Sequence, residues 1–255
     1  MVCAIRSLLR VLPPRATPPP PPPPPLTPPA AILNHSCDPN CILTYTGNVQ
    51  LMRAIKPILA GEELFHSYCD LTSPTPTRTS HLSSTYGFDC DCARCVGETS
   101  IDESELTKDQ MTARETQTVR DCLNEAAMMG SGEVDDLEKE YTYLMRALTI
   151  QRAKLGRYNV ERYKTEGLAL SVAMCGGGDA VQHARSCVDF LAYVCNEFHP
   201  LRLLQVMTLA ELLECEEGGA GKEEAQVLFR ALVRGAEVSY GSEHEYVARY
   251  RELIH

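Results

Sequence analysis

Positive charge is in short supply: 24 Lys and Arg stand against 34 Asp and Glu, for a net charge of −10. Non-specific binding to nucleic acid needs a basic face, so the balance argues against that class, and a basic peptide or protein tail is the more natural charged partner. Long apolar runs are also missing. None approaches the roughly 20 residues of a membrane span, and no membrane partner is expected. Met1 to Leu12 sets Arg6 and Arg10 among apolar residues and leads into prolines without a small-residue cleavage pattern, so no working secretory signal is expected. The expected location is cytoplasmic, nuclear or both. In such a compartment, twelve cysteines read as metal ligands and buried thiols rather than disulfides. Glycine is absent from residues 1–33.

What fills that glycine-free leader is proline. Pro13 to Pro29 holds twelve of the seventeen prolines. Such a tract lacks backbone donors and tends to polyproline II, so residues 1–30 read as a disordered leader rather than part of a core. A ligand for an SH3 or WW domain is the sharper alternative. Residues 31–68 read as short strands and turns. Cys41–Tyr45 and Val49–Ile55 flank the turn residues Thr46-Gly47-Asn48, a β-hairpin pattern. A further short strand is expected over Leu64–Tyr68. Leu71 to Thr79 is a loop by its Thr, Ser and Pro content, and Thr79 to Tyr86 a short helix. Residues 97–109 are acidic and polar and read as a linker.

From about Gln110 to His255 the period becomes helical. Val119, Cys122, Leu123 and Ala126 share one face, and Leu137, Tyr141, Leu144, Leu148 and Arg152 follow at three-to-four spacing. Gly130–Gly132, Gly176–Gly178 and Gly218–Gly221 punctuate the helices. A shift of 45 residues aligns Ala180 with Ala225, Cys187 with Leu232, Leu191 with Ala236 and His199 with His244, in the range of helix-pair repeats. Ser242-Glu243-His244-Glu245 fits a capping box, with Ser242 as the expected cap of the last helix. His199 and His244 are read as structural residues beside caps. The expected domain is an antiparallel helical array resembling tetratricopeptide repeats. Its Leu-, Met- and Ala-rich stripes are ordinary core positions, so it carries no candidate site residues.

Three pieces carry chemistry. Cys90-Asp91-Cys92-Ala93-Arg94-Cys95 offers three thiolates to one face of a tetrahedral zinc, and a structural zinc wants four ligands. Cys37, Cys41 and Cys69 are the candidates for the fourth. Asn34-His35-Ser36-Cys37-Asp38-Pro39-Asn40 is too polar for a plain strand or helix; its bland reading is a turn with an interior histidine. Gly61-Glu62-Glu63-Leu64 leads to Tyr68, whose bland reading is packing plus one hydrogen bond.

In this order and separation the three pieces resemble the SET domain of protein-lysine methyltransferases, and more narrowly the SMYD family, which joins a SET domain to a zinc-binding MYND module and a helical C-terminal domain. Phe198-His199-Pro200 through Met207 and Tyr240 to His244 look like that family's C-terminal repeats. The resemblance covers about Ala31 to His255. It implies an α+β fold: part of a SET-like β domain with a post-SET zinc site over 31–96, then the all-α array over 110–255. It implies that Asn34 and His35 contact S-adenosylmethionine, that Cys37 joins Cys90, Cys92 and Cys95 around zinc, and that Tyr68 is the active-site tyrosine. Tyr86 and Phe88 would line the lysine channel, with Phe88 also beside the cofactor. The implied activity is methylation of histone or other protein lysines. The family's glycine-bearing cofactor turn and MYND cysteine pattern have no counterpart before Asn34, where Cys3 stands alone. The alternative expectation is therefore a non-catalytic, zinc-stabilised module that binds a peptide partner through its helical repeats.

Overall fold

The computed structural model describes residues 31–46, 49–129, 134–216, 219 and 221–254. The proline tract, the Gly130–Gly132 break and part of the Gly218–Gly221 break lie outside the described residues.

The SET-like region is small and is stitched by side chains as much as by strands. β1 (Asn34–His35) runs parallel to β4 (Phe65–His66), pairing Asn34 with Phe65 and His35 with His66. β2 (Cys41–Thr46) and β3 (Val49–Ala54) form the antiparallel hairpin that the alternating runs predict, in register from Cys41–Ala54 to Thr46–Val49. The buried Asn40 joins the two sheets. Its Oδ1 accepts the Phe65 N–H at 2.9 Å, its Nδ2 donates to the Glu63 carbonyl at 2.9 Å, and its own carbonyl accepts from Ile55 N at 2.8 Å. A single carboxamide thus satisfies backbone groups that such short strands leave without ladder partners.

α1 spans Thr75–Tyr86 and starts four residues earlier than the Thr- and Pro-rich composition suggested. Pro76 sits in the first turn, where its missing N–H costs nothing. Gly87 ends the helix at φ +76°, a conformation that favours glycine, and its N–H closes onto the carbonyls of Leu82 and Ser83. Residues 97–109, expected to be a linker, are packed instead. A 3-10 turn over Glu103–Leu106 is capped by Asp102 and buries Leu106. Lys108 then accepts the Gly156 N–H at 3.0 Å, and Gln110 donates to Lys154 at 3.0 Å.

The rest is helical: α2 (Ala113–Met128), α3 (Val134–Lys154), α4 (Val160–Val172), α5 (Ala180–Val194), α6 (Pro200–Glu214), α7 (Lys222–Tyr240) and α8 (Glu245–Glu252). Each packs on the next in sequence. Thr112 and Glu115 form a capping box on α2, and Asn159 caps α4. The expected faces are buried at Val119, Cys122, Ala126, Leu144 and Leu148. Arg152 is not core; it grips Glu166 with two hydrogen bonds of 2.9 Å. The repeat has a physical basis in its histidines. His199 and His244 are themselves the caps of α6 and α8, each accepting through Nδ1 the N–H of the residue two further on. Ser242 is therefore not the cap: its hydroxyl turns to the neighbouring Glu243 carboxylate, outside the helix. An imidazole acceptor does the work that the sequence pattern assigned to a hydroxyl.

Two contacts lock the SET-like region onto the array. One is a core of Cys37, Leu71, Leu82 and Leu106 against Phe190, Leu191 and Val194 of α5. The other is Arg53 of β3, which donates to the Val238 and Glu237 carbonyls at the end of α7, at 2.6 and 3.2 Å. Among the described residues, no helix is long and apolar enough to cross a membrane.

Gly156 marks the closest approach between the 97–109 segment and the array: a Cβ there would sit 2.9 Å from the Glu105 carbonyl oxygen and 3.2 Å from Lys108 Cβ. Backbone cannot swing aside as a side-chain tip does. Gly156→Ala is expected to lose about 1–3 kcal/mol, read as a lower urea midpoint; an unchanged midpoint would show that the segment is not tightly docked.

Candidate metal centre and active site

β1 ends where the chain turns through Ser36 and Cys37, and the turn is held from both sides. Ser36 N donates to the His66 carbonyl at 3.1 Å, and Asp38 N donates to Ser36 Oγ at 3.0 Å. Cys37, 2% exposed, points inward. The segment after α1 brings Cys90, Cys92 and Cys95 to it, and the four sulfurs lie within 4.8 Å of one another. Of the three candidates for the fourth ligand, Cys41 is buried in β2 apart from the cluster, and Cys69 lies with Cys37 and His35 in a second close group. Four soft thiolates in a compact, half-buried group suit tetrahedral zinc, and the residues present fit that ion.

The backbone supports the thiolates. Cys37 N–H donates to Cys92 Sγ at 3.4 Å, and Cys95 and Val96 N–H close onto the Cys92 carbonyl. The contacts with Cys69 and Cys92 push the Cys37 thiol up, while the hydrogen bond from Cys37 holds Cys92 down at about 3. A divalent ion must displace the protons that these sulfurs carry.

Arg78 of α1 supplies the compensating charge. It is 1% exposed, its Nε donates to Cys37 Sγ at 3.2 Å, and Nη2 approaches Cys95 Sγ at 3.9 Å. Glu103 pairs with Arg78 at 3.1 Å and with Arg94 at 2.6 Å. Arg94, equally buried, carries the network to the array by donating to the Leu71 and Val194 carbonyls at 3.0 and 3.3 Å. Burial works to raise the Glu103 carboxyl, but Arg78 and Arg94 outweigh it and hold the group below the usual carboxylate range. Sequence reasoning missed Asn40, Arg78, Arg94 and Glu103 as parts of the site. Arg94 had a signal, lying inside the Cys-x-Cys-x-x-Cys run; a surface-type Arg-Thr-Ser stretch conceals Arg78.

On the other side of Cys37 lie the rings. Tyr68 stands 4.8 Å from Tyr86, 4.8 Å from His66 and 5.3 Å from His35, and His35 is 6.0 Å from Phe88. The Tyr68 hydroxyl donates to the Leu33 carbonyl. Burial pushes that hydroxyl above its ordinary value, with Tyr86 adding to the effect, and burial holds the His66 imidazole below its own. Tyr86 remains 50% exposed, so the cluster opens to solvent there. Asn34 is exposed and its amide donates to Glu63 Oε1 at 2.6 Å. The nine residues to which the resemblance gives roles therefore converge on β1, β4, the end of α1 and the cysteine segment.

A SET domain family model matches residues 21–69, which hold Asn34, His35, Cys37 and Tyr68. An N-lysine methyltransferase SMYD2-B of Xenopus laevis is 28% identical over 235 residues, 88% of this chain and 53% of the relative. The chain is similar to SET proteins of the SMYD family. Identity is higher over shorter stretches: 46% over 76 residues with SMYD2-A of Danio rerio (30% of this chain, 17% of the relative), and 41% over 87 residues with the histone-lysine N-methyltransferase SMYD3 of Mus musculus (34% and 20%). The chain spans about half the length of the relatives it matches over most of its sequence.

Two predictions follow from the charge network. Because the folded pKa of Glu103 is depressed, its contribution is present above the ordinary carboxylate pKa of about 4.3 and is lost as pH falls through the lower folded value. Glu103→Gln, which strands two buried guanidinium groups, should cost about 3–5 kcal/mol at neutral pH and flatten the acid limb of a stability–pH curve. Zinc affinity should fall as pH is lowered, with proton release on binding seen in unbuffered titration, and Cys37→Ser should weaken it sharply. Binding that ignores pH would count against a thiolate site.

Proposed function

We propose that this chain's SET-like region serves S-adenosylmethionine-dependent methyl transfer to lysine side chains of proteins. The observation that carries the reading is the convergence of the exposed β1 edge, the open ring cluster around Tyr68 and the four-thiolate group in one place. Zinc would be held by Cys37, Cys90, Cys92 and Cys95 and would order the β1 turn against the cysteine segment without entering the chemistry. S-adenosylmethionine supplies an electrophilic methyl on a sulfonium, and its cationic character suits the aromatic surroundings of Tyr68, Tyr86 and Phe88. Asn34, exposed on β1, and the His35 backbone would seat it.

The chain's own residues then align and exclude. Tyr68, fixed by its bond to Leu33 O, would present its hydroxyl oxygen to the incoming amine. Phe88 and Tyr86 would wall a narrow channel and keep it dry. The attacking lysine must be neutral, so activity should rise with pH until the amine is deprotonated. The chain's net charge of −10 suits basic substrates, histone tails among them. A cytoplasmic or nuclear setting would keep the twelve cysteines reduced.

A second reading is a zinc-stabilised protein-binding module acting through a tetratricopeptide-like array. The exposed Leu168, Leu201 and Leu204 on the helices favour it. The deciding experiment incubates the protein with radiolabelled cofactor and histones, beside Tyr68→Phe, and measures cofactor binding by calorimetry. Methyl transfer that drops at least about tenfold in Tyr68→Phe supports the first reading. No cofactor binding, with peptide capture retained, selects the second.

A further inference from the structure

His35 stands in two close groups at once: beside the rings, and with Cys37 and Cys69 in a set that resembles a metal site. Its hydrogen bonds decide between these roles. Nδ1 lies 2.9 Å from the Tyr68 backbone nitrogen. That N–H has only a lone pair to donate to, so Nδ1 carries no proton. A neutral imidazole then carries its proton on Nε2. Nε2 lies 3.2 Å from Cys37 Sγ, so the N–H is aimed at the sulfur. With one nitrogen accepting and the other protonated, the ring has no lone pair left for a metal. The group of His35, Cys37 and Cys69 is thereby reduced to two sulfurs, too few for a site of its own.

We infer that the His35 side chain is a positioning residue that ties the Cys37 sulfur of the metal centre to the backbone of Tyr68, so that metal loading sets where the tyrosine stands. Ligand sulfurs are steadied by such donors, and removing one costs metal affinity. Here the donor ring is 8% exposed, and its far nitrogen holds the residue proposed to meet the substrate amine. His35 and Arg78 grip the same sulfur, each at 3.2 Å. The Arg78 bond neutralises charge; the His35 bond transmits position. The inference rests on the zinc reading and does not need methyl transfer to occur.

The test uses the full chain loaded with cobalt or zinc, and two variants that each keep half of the bridge. His35→Gln can still place an amide N–H near Cys37; His35→Asn can still place a carbonyl oxygen near the Tyr68 N–H. Long-range proton–nitrogen spectra of the wild-type imidazole should show the Nε2–H form in the loaded protein. His35→Asn should bind cobalt about tenfold more weakly and shift the sulfur-to-cobalt charge-transfer band, while His35→Gln recovers most of both. Fluorotyrosine at position 68 should give a fluorine resonance that moves on metal loading in wild type and not in His35→Asn. An Nδ1–H form, or a Tyr68 resonance that follows the metal equally in both variants, would overturn the bridge. Failure of the wild-type chain to take up cobalt in a four-sulfur spectrum would instead overturn the zinc reading beneath it.

Discussion

Cys37 is the node on which the SET-like region depends. Its sulfur meets four other thiols, a buried guanidinium and an imidazole, while its backbone N–H reaches Cys92. Clustered thiolates repel one another, and a half-buried setting strengthens that repulsion. Such a group is tenable only if cations are built in beside it. Arg78 is one, and a metal held by the four sulfurs would be another. Arg78 in turn is held by Glu103, and Glu103 is shared with Arg94. Charge therefore alternates from the sulfurs outward to the array.

That alternation gives the packed segment 97–109 its purpose. Glu103 is delivered by a short 3-10 turn, which is fixed by burying Leu106 and by the backbone bonds around Gly156. Arg94 reaches the end of α5 through the Val194 carbonyl. The helical array is thus a structural partner of the four-cysteine cluster. The hairpin is docked separately, by Arg53 on the carbonyls at the end of α7. Strands of two residues in β1 and β4 have little stability of their own; Asn40 and the cysteine segment supply what the ladder does not.

Parts of this were legible in the sequence because they are local. The hairpin follows from β-rich runs about a turn, the helical stripes from three-to-four spacing, and three of the four thiols from their spacing alone. The resemblance of three short motifs to SET proteins carried Cys37 to the cluster across a gap of more than fifty residues. The rest was not legible, since its signals are ordinary residues in ordinary company. Arg78 sits in Thr-Arg-Thr, Glu103 in an acidic run that composition marks as a linker, and Asn40 closes a polar turn. Ser242 looked like a cap because hydroxyls usually are; the histidine two residues on has the same acceptor in reach and takes the position.

By itself the sequence determined the element types, the separation into a β region and a helical region, and the residues able to bind metal. These are short-range consequences of period, turn chemistry and thiol spacing. Only the tertiary structure decided which groups balance the thiolates, that the acidic stretch is packed, and which groups the His35 ring meets. Those outcomes depend on contacts between residues far apart in the chain. They are selected by the cost of burying unpaired charge and unbonded polar groups, and that cost exists only once the chain has folded.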